Sequence, residues 1–301
     1  MMEILHTAIR VTTPIALAAL GGLFTHKAGV LNIALEGMML MAAFMGVVTS
    51  YFTGSPLLAI MAAFGVSLII GLIFSFFGIT LKGNFIIVGL AVNMTAYGIT
   101  AFWLQQWFGI RGILSSDKII GLDPIDVPIL NKIPIISDIF NNHTPIVYVS
   151  FLLLLITYIT LKHTKIGLHI RVVGENENAA KAVGIKVNKI RYISVLLSSL
   201  YCALAGVNLS LESLNLFVEK MTAERGFIAL AAIFSGKGTA LGTYLFSFIF
   251  GLGETFQISL QIFDVPGSLI QTIPFIFVII ILTFIGIKNK KNKIKRGITN
   301  D

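Results

Sequence analysis

Gly174-Glu175-Asn176-Glu177-Asn178-Ala179-Ala180-Lys181-Ala182-Val183-Gly184 lies inside a basic segment, Lys162 to Ile190, that separates two apolar runs. Lys162, Lys165, Arg171, Lys181, Lys186, Lys189 and Arg191 fall in or beside it, and only Glu175 and Glu177 oppose them. Between apolar spans, a loop with that cationic bias stays on the cytoplasmic side of a bilayer. Gly174 or Asn176 can cap the start of a short helix, and Gly184 can end it in the left-handed conformation. Ala179, Ala180 and Val183 give that helix a small, smooth face. So short a helix is marginal alone in water. The protein's own loop or a docking groove must hold it, and the plainer alternative is a solvated surface helix. The loop is long where a simple connector would be short, which favours a docking site for a cytoplasmic partner.

Composition agrees with a membrane setting. Of 301 residues 56% are hydrophobic and 12% charged, with mean hydropathy +0.90. A soluble domain carries about 25% charged residues, so the polar surface for soluble domains is missing. The net charge of +8 is concentrated in the central loop and the tail, so topology explains it and nucleic-acid binding does not. Cys202 is the single cysteine, which excludes an intrachain disulfide framework and a cysteine-based metal site. The histidines lack zinc-site spacing. No catalytic set and no phosphate-binding glycine loop are visible, so the chain does not supply its own nucleotide hydrolysis.

Apolar runs of spanning length fall at about 4–24, 30–51, 57–81, 85–108, 145–161, 191–210, 240–257 and 267–287. A further run, Thr222 to Ser235, is too short for a comfortable span and reads as a tilted or broken helix inside the protein. Eight or nine spans are expected. The fold class is an all-α polytopic bundle of about 8–10 helices, some broken or re-entrant. Ile15-Ala-Leu-Ala-Ala-Leu20 recurs as Ile228-Ala-Leu-Ala-Ala-Ile233, which hints at an internal repeat. Residues 1–287 form one transmembrane domain. The segment 109–144 lacks a cationic excess and is placed outside, while the tail 288–301 carries six Lys/Arg and is placed inside, where it can also meet anionic lipid.

Glu36 is the most informative single residue. It sits in the second run, with Gly37 beside it and Asn32 about one turn earlier on the same helical face. A carboxylate at membrane depth costs about 2.5 kcal/mol or more unless it is paired or faces a cavity. It either lines a translocation path or pins two helices together as a satisfied structural group. Asn93, Thr95 and Tyr97 interrupt the fourth run, with Gln105 and Gln106 near its end; they suit a neutral, hydroxyl-rich solute and equally suit interhelical hydrogen bonds. A proton relay is less favoured, because no second acidic residue stands out at the depth of Glu36.

Ala28-Gly29-Val30-Leu31-Asn32-Ile33-Ala34-Leu35-Glu36-Gly37-Met38-Met39-Leu40 closely resembles the signature of inner-membrane permeases of ABC importers, in the nucleoside and simple-sugar branch of the branched-chain amino acid and ribose permease superfamily. Gly174 to Gly184 resembles that family's coupling helix, and Arg225-Gly226 through Gly236 its later half. The resemblance implies a permease, not an enzyme, in the bacterial cytoplasmic membrane. It implies a cytoplasmic subunit that binds ATP and Mg, a second permease subunit (identical or different) and an extracytoplasmic solute-binding lipoprotein. Asn32, Glu36, Gly37, Asn93 and Thr95 are then expected on the solute path, and Glu175, Asn176, Asn178, Ala179, Ala180 and Gly184 at the ATPase contact. The expected solute is a nucleoside, a purine nucleoside in particular; ribose or another simple sugar is the alternative. A rival of another class is a proton-coupled transporter using Glu36, and a third is a scaffold without transport.

Overall fold

The structure is a computed structural model that describes residues 2–128, 134–260, 272, 276–280, 283, 286 and 287. Most of the run 267–287 and the whole tail 288–301 lie outside the described residues. Within them the chain forms α1 (Met2–Lys27), α2 (Leu35–Thr53), α3 (Pro56–Ser75), α4 (Phe85–Phe108), α5 (Pro134–Phe140), α6 (Pro145–His163), α7 (Lys165–Glu175), α8 (Glu177–Ala182), α9 (Val187–Val207), α10 (Arg225–Ser235) and α11 (Ala240–Leu260). π-Helical turns extend α3 over Phe76–Thr80 and α9 over Asn208–Leu214. A single pair of short antiparallel strands, β1 (Ile113–Ser115) and β2 (Leu216–Val218), joins the two long connections.

Six helices among the described residues are long and apolar enough to cross a membrane: α1, α2, α3 with its π turn, α4, α6 and α9 with its π turn. That is fewer than the eight or nine expected. Although α11 has 21 residues, it is not among the six, and it carries Glu254 and Gln257. The run at Thr222–Ser235 is the 11-residue helix α10, packed inside the bundle against α1, α2 and α11. Two boundaries also differ from expectation. The second run becomes helical only at Leu35, leaving 28–34 as an irregular segment, so Asn32 precedes the helix and does not share its face with Glu36. The expected helix 174–184 is divided, because Gly174 and Glu175 end α7 and Asn176 caps the separate helix α8.

Burial sorts the helices into two layers. The most apolar window is 83% buried in α1, 78% in α2 and 72% in α9, against 33% in α3, 22% in α4 and 28% in α6. Thus α1, α2 and α9 form the interior, and the rim helices turn their apolar sides outward. Small residues allow the interior contact, because without a hydrophobic drive in lipid the helices must gain close packing. A Cβ on Gly206 of α9 would lie 2.3 Å from the Met39 carbonyl oxygen and 2.8 Å from the Ala43 nitrogen of α2.

The connection after α4 is fastened to the start of α1. The imidazoles of His6 and His143 stack with centroids 4.1 Å apart, and His143 hydrogen-bonds the Ile139 carbonyl at 2.9 Å. The first turn of α6 is held by Glu212, which accepts from the Thr144 hydroxyl at 2.6 Å and the Ile146 N–H at 2.9 Å. Burial holds the His143 pKa below its ordinary 6.5, the Ile139 hydrogen bond opposes this, and the charges of His6 and Arg10 add to the lowering.

Two outcomes follow from this packing. Gly206→Val forces α2 and α9 apart and destabilises the bundle by about 2 kcal/mol or more, read as a lower melting temperature in detergent. Because the folded His143 pKa is depressed, its contribution to stability is complete above pH 6.5 and is lost as pH falls through the lowered value. Limited proteolysis between residues 125 and 143 should therefore quicken on acidification, and substitution of His143 should flatten that dependence.

Candidate functional site

Two helices begin inside the bundle, and their starts meet. The chain leaves α1 at Lys27, runs irregularly through 28–34 and enters α2. From the other side it passes through the turn 219–224 and enters α10. A helix start leaves backbone N–H groups without partners. Glu36, in the first turn of α2 and fully buried, supplies the acceptor. Its Oε1 accepts from the Glu224 N–H at 3.0 Å and its Oε2 from the Gly226 N–H at 2.7 Å. The Tyr97 hydroxyl of α4 donates to Oε1 at 3.4 Å. Glycine is required at 226, since a Cβ there would come within 2.8 Å of Glu36 Oε2 and Cα. The positive end of the α10 dipole adds to the stabilisation of the carboxylate.

Asn93 repairs the irregular segment in the same way. Its Oδ1 accepts from the Gly37 N–H at 2.8 Å and its Nδ2 donates to the Ile33 carbonyl at 3.0 Å. A Cβ on Gly37 would lie 2.9 Å from Asn93 Oδ1 and 3.1 Å from its Cα. Asn32 accepts from the Ala34 N–H at 3.1 Å and donates to Ser198 Oγ of α9 at 3.2 Å. The structure thus brings Asn32, Glu36, Gly37 and Asn93 together, and the polar atoms named here are all engaged within the chain. Thr95 stands apart from them. Its hydroxyl donates to Ala91 of its own helix at 2.7 Å, and it lines an apolar crevice of about 510 Å³ between α3 and α4.

The entry to α10 holds residues that the sequence reading missed. Lys220, Ala223 and Glu224 take positive φ values of 59°, 45° and 64° without being glycine. Such backbone persists only where surrounding contacts over-determine it, and the Glu36 carboxylate is one of those contacts. Arg225 donates to the Met221 carbonyl at 3.1 Å and forms an ion pair with Glu254 of α11. Glu224 therefore lies beside Glu36, where no second carboxylate stood out in the sequence, and Glu254 is reached from there through Arg225. Glu254 sat near the end of its apolar run in sequence, and Glu224 is carried inward only by the re-entrant path of the chain.

Against the Lys27 end of α1 the short helices form a second cluster. Asn176 caps α8 by accepting from the Ala179 N–H at 3.0 Å, and Gly184 follows with φ +80°. Glu177 pairs with Lys181 at 2.6 Å and with Arg191 of α9 at 2.9 Å. Those cations, Lys181 first, hold the Glu177 carboxyl below its ordinary pKa. Arg191 also donates to the Ala28 carbonyl at 3.4 Å, and Gly174 packs on Lys27, where a Cβ would be 2.0 Å from its carbonyl oxygen. The smooth face read from the sequence is split. Ala180 is fully buried within this chain, because α8 rests that side on the protein, while Glu175, Asn178, Ala179, Ala182, Val183 and Gly184 are exposed. No group of three or more His, Cys, Asp or Glu able to hold a metal ion occurs among the described residues.

Glu36→Ala leaves the N–H groups of Glu224 and Gly226 without their acceptor and should destabilise the folded chain by about 3 kcal/mol. Glu36→Gln, which keeps one acceptor oxygen, should cost about half as much. Thermal melting of the two purified variants checks the order.

Comparison with known proteins adds to this geometry. Residues 4–282 match the family described as branched-chain amino acid transport system / permease component. The guanosine ABC transporter permease protein NupQ of Bacillus subtilis (strain 168) is 35% identical, with 91% of this chain and 89% of that protein covered. The nucleoside ABC transporter permease protein NupC of Lactococcus lactis subsp. cremoris (strain MG1363) is 32% identical, with coverage of 91% and 90%. Among solved structures, PsaBC from Streptococcus pneumoniae in complex with Fab aligns with TM-score 0.52 at 16% identity, covering 92% of this chain and 90% of that one, a likeness of fold alone. Matched over nearly its whole length, this multi-pass membrane chain belongs to the permease component family of branched-chain amino acid transport systems.

Proposed function

We propose that this chain is the permease subunit of an ATP-driven importer that carries nucleosides, purine nucleosides in particular, across the bacterial cytoplasmic membrane. The observation that carries the reading is the near-full-length likeness to a guanosine permease and a nucleoside permease. As a permease the chain is not itself an enzyme. Permeases of this kind work with an ATP-binding partner and a substrate-binding protein. Here the ATP-binding subunit, with its ATP and Mg, docks on the exposed side of α8. A second permease subunit completes the path, and an extracytoplasmic lipoprotein delivers the solute.

The geometry supports a route for the movement. The short helix α8 is tied through Glu177 and Arg191 to Ala28, the first residue of the irregular segment that leads to Asn32 and Glu36. A shift of α8 therefore pulls on the start of α2, and through Glu36 on the start of α10. The path alternates access as these two helix starts move together.

Cells lacking the chain should lose uptake of labelled purine nucleosides and keep uptake of ribose and a branched-chain amino acid. Loss of ribose uptake instead would overturn the nucleoside assignment. Val183 is 72% exposed, so Val183→Asp should fold normally and fail to co-purify the ATP-binding subunit. Ala180→Arg should lower the yield of folded chain, because Ala180 is buried. Co-purification undiminished by Val183→Asp would place the dock elsewhere.

A further inference from the structure

The depth of the α10 entry can be read from two helices. At its far end α10 reaches the basic end of α1: Phe234 meets His26 edge-on with centroids 5.2 Å apart, and a Cβ on Gly238 would lie 3.0 Å from Lys27 Nζ. Its 11 residues span about 16 Å, half of a hydrocarbon core of about 30 Å. A second ruler agrees. Met38, two residues past Glu36, takes a hydrogen bond from Ser199 at 3.6 Å, and Ser199 lies eight residues along α9 from Arg191, or about 12 Å. The Glu224 end of the turn thus lies near the middle of the bilayer, while its start is tied outward, Glu219 donating its N–H to the Gly112 carbonyl of the connection after α4 at 2.8 Å.

At that depth Glu36 is buried and occupied by N–H donors, whereas Glu224 is exposed, as is Lys220 on its outer side. Lipid tails cannot face an exposed ammonium and carboxylate, because nothing there solvates them. These side chains face water, a polar solute or the second permease subunit, and the first two place them on the path. Tyr97 stands next to them, half-buried, with its hydroxyl on Glu36 and the Lys220 ammonium 5.7 Å from its ring centroid.

We propose that Tyr97, Lys220 and Glu224 form the mid-membrane contact for the solute, and that the solute is a neutral nucleoside; this rests on the nucleoside reading above. Tyr97 stood out in the sequence among the polar residues of the fourth run, whereas Lys220 and Glu224 did not. The Glu224 carboxylate is an acceptor only and takes the O–H or N–H donors of the nucleoside. Lys220 donates to its carbonyl or ring acceptors, and the face of Tyr97 lies beside the base. Glu36 does not touch the solute. It fixes the left-handed backbone at Glu224 and so aims that side chain, which makes Glu36 a positioning residue.

The test uses the assembled importer in membrane vesicles of both orientations, in a chain carrying Cys202→Ala. Glu224→Cys and Lys220→Cys should react with a charged methanethiosulfonate, and Leu155→Cys, on the apolar rim at 53% exposure, should not. Guanosine should slow both reactions, and Glu224→Gln should raise the KM for guanosine about tenfold at unchanged complex yield. Labelling no faster than at position 155, or labelling that guanosine does not slow, overturns the contact. Labelling reads water access and uptake reads transport. Failure of the first with uptake intact refutes this contact alone, and loss of nucleoside uptake as a function of the chain refutes the reading beneath it.

Discussion

One carboxylate holds the two halves of this permease in register. A helix start buried inside a membrane bundle must find acceptors for its free N–H groups in the surrounding protein. Glu36 answers that demand for α10 and at the same time finds donors for its own charge. Each group would be costly alone, and together they fix where α10 begins relative to α2. Asn93 does the same for the irregular segment at residues 28–34, joining Ile33 and Gly37 to α4. Away from mid-depth, Glu212 repeats the device at the start of α6. Interrupted helices therefore depend on side chains that substitute for the missing turn.

The consequence is a continuous line of contacts without a continuous helix. Arg191 bridges Glu177 of α8 and the Ala28 carbonyl, and the irregular segment runs from there to Glu36. Rigid contacts of small residues surround this line, as at Gly206 against α2 and Gly174 against Lys27. Glycines at these points leave no compliant side chain between the backbones.

Much of the fold was legible in the sequence because apolar length is a strong signal in a membrane protein. The seven spanning-length runs that lie within the described residues all coincide with helices, and the short run at Thr222–Ser235 contains α10. The boundaries were less legible. Leu31 and Ile33 are apolar whether or not their backbone is helical, so hydropathy alone placed the second helix too early. Alanine at 179, 180 and 182 gives α8 the same smooth character on every side, so spacing could not say which side was buried. The capping residues Asn176 and Gly184 carried clearer information, because their chemistry demands a particular backbone.

The sequence by itself determined that the chain lies in a membrane, where its basic loop falls, and which polar residues in apolar runs require an explanation. Those properties are local, since the cost of a charge in hydrocarbon and the length of a span do not depend on the rest of the fold. Only the tertiary structure decided what the polar residues do. Glu36 and Asn93 are occupied because segments 188 and 56 residues away supply their donors. Glu224, unremarkable beside a polar turn in sequence, is carried by the chain's re-entry to the depth where an exposed charge must find water or a polar partner, and Lys220 reaches the ring of Tyr97 beside it. Partnership and depth are set by long-range packing, and a single residue's chemistry cannot announce either one.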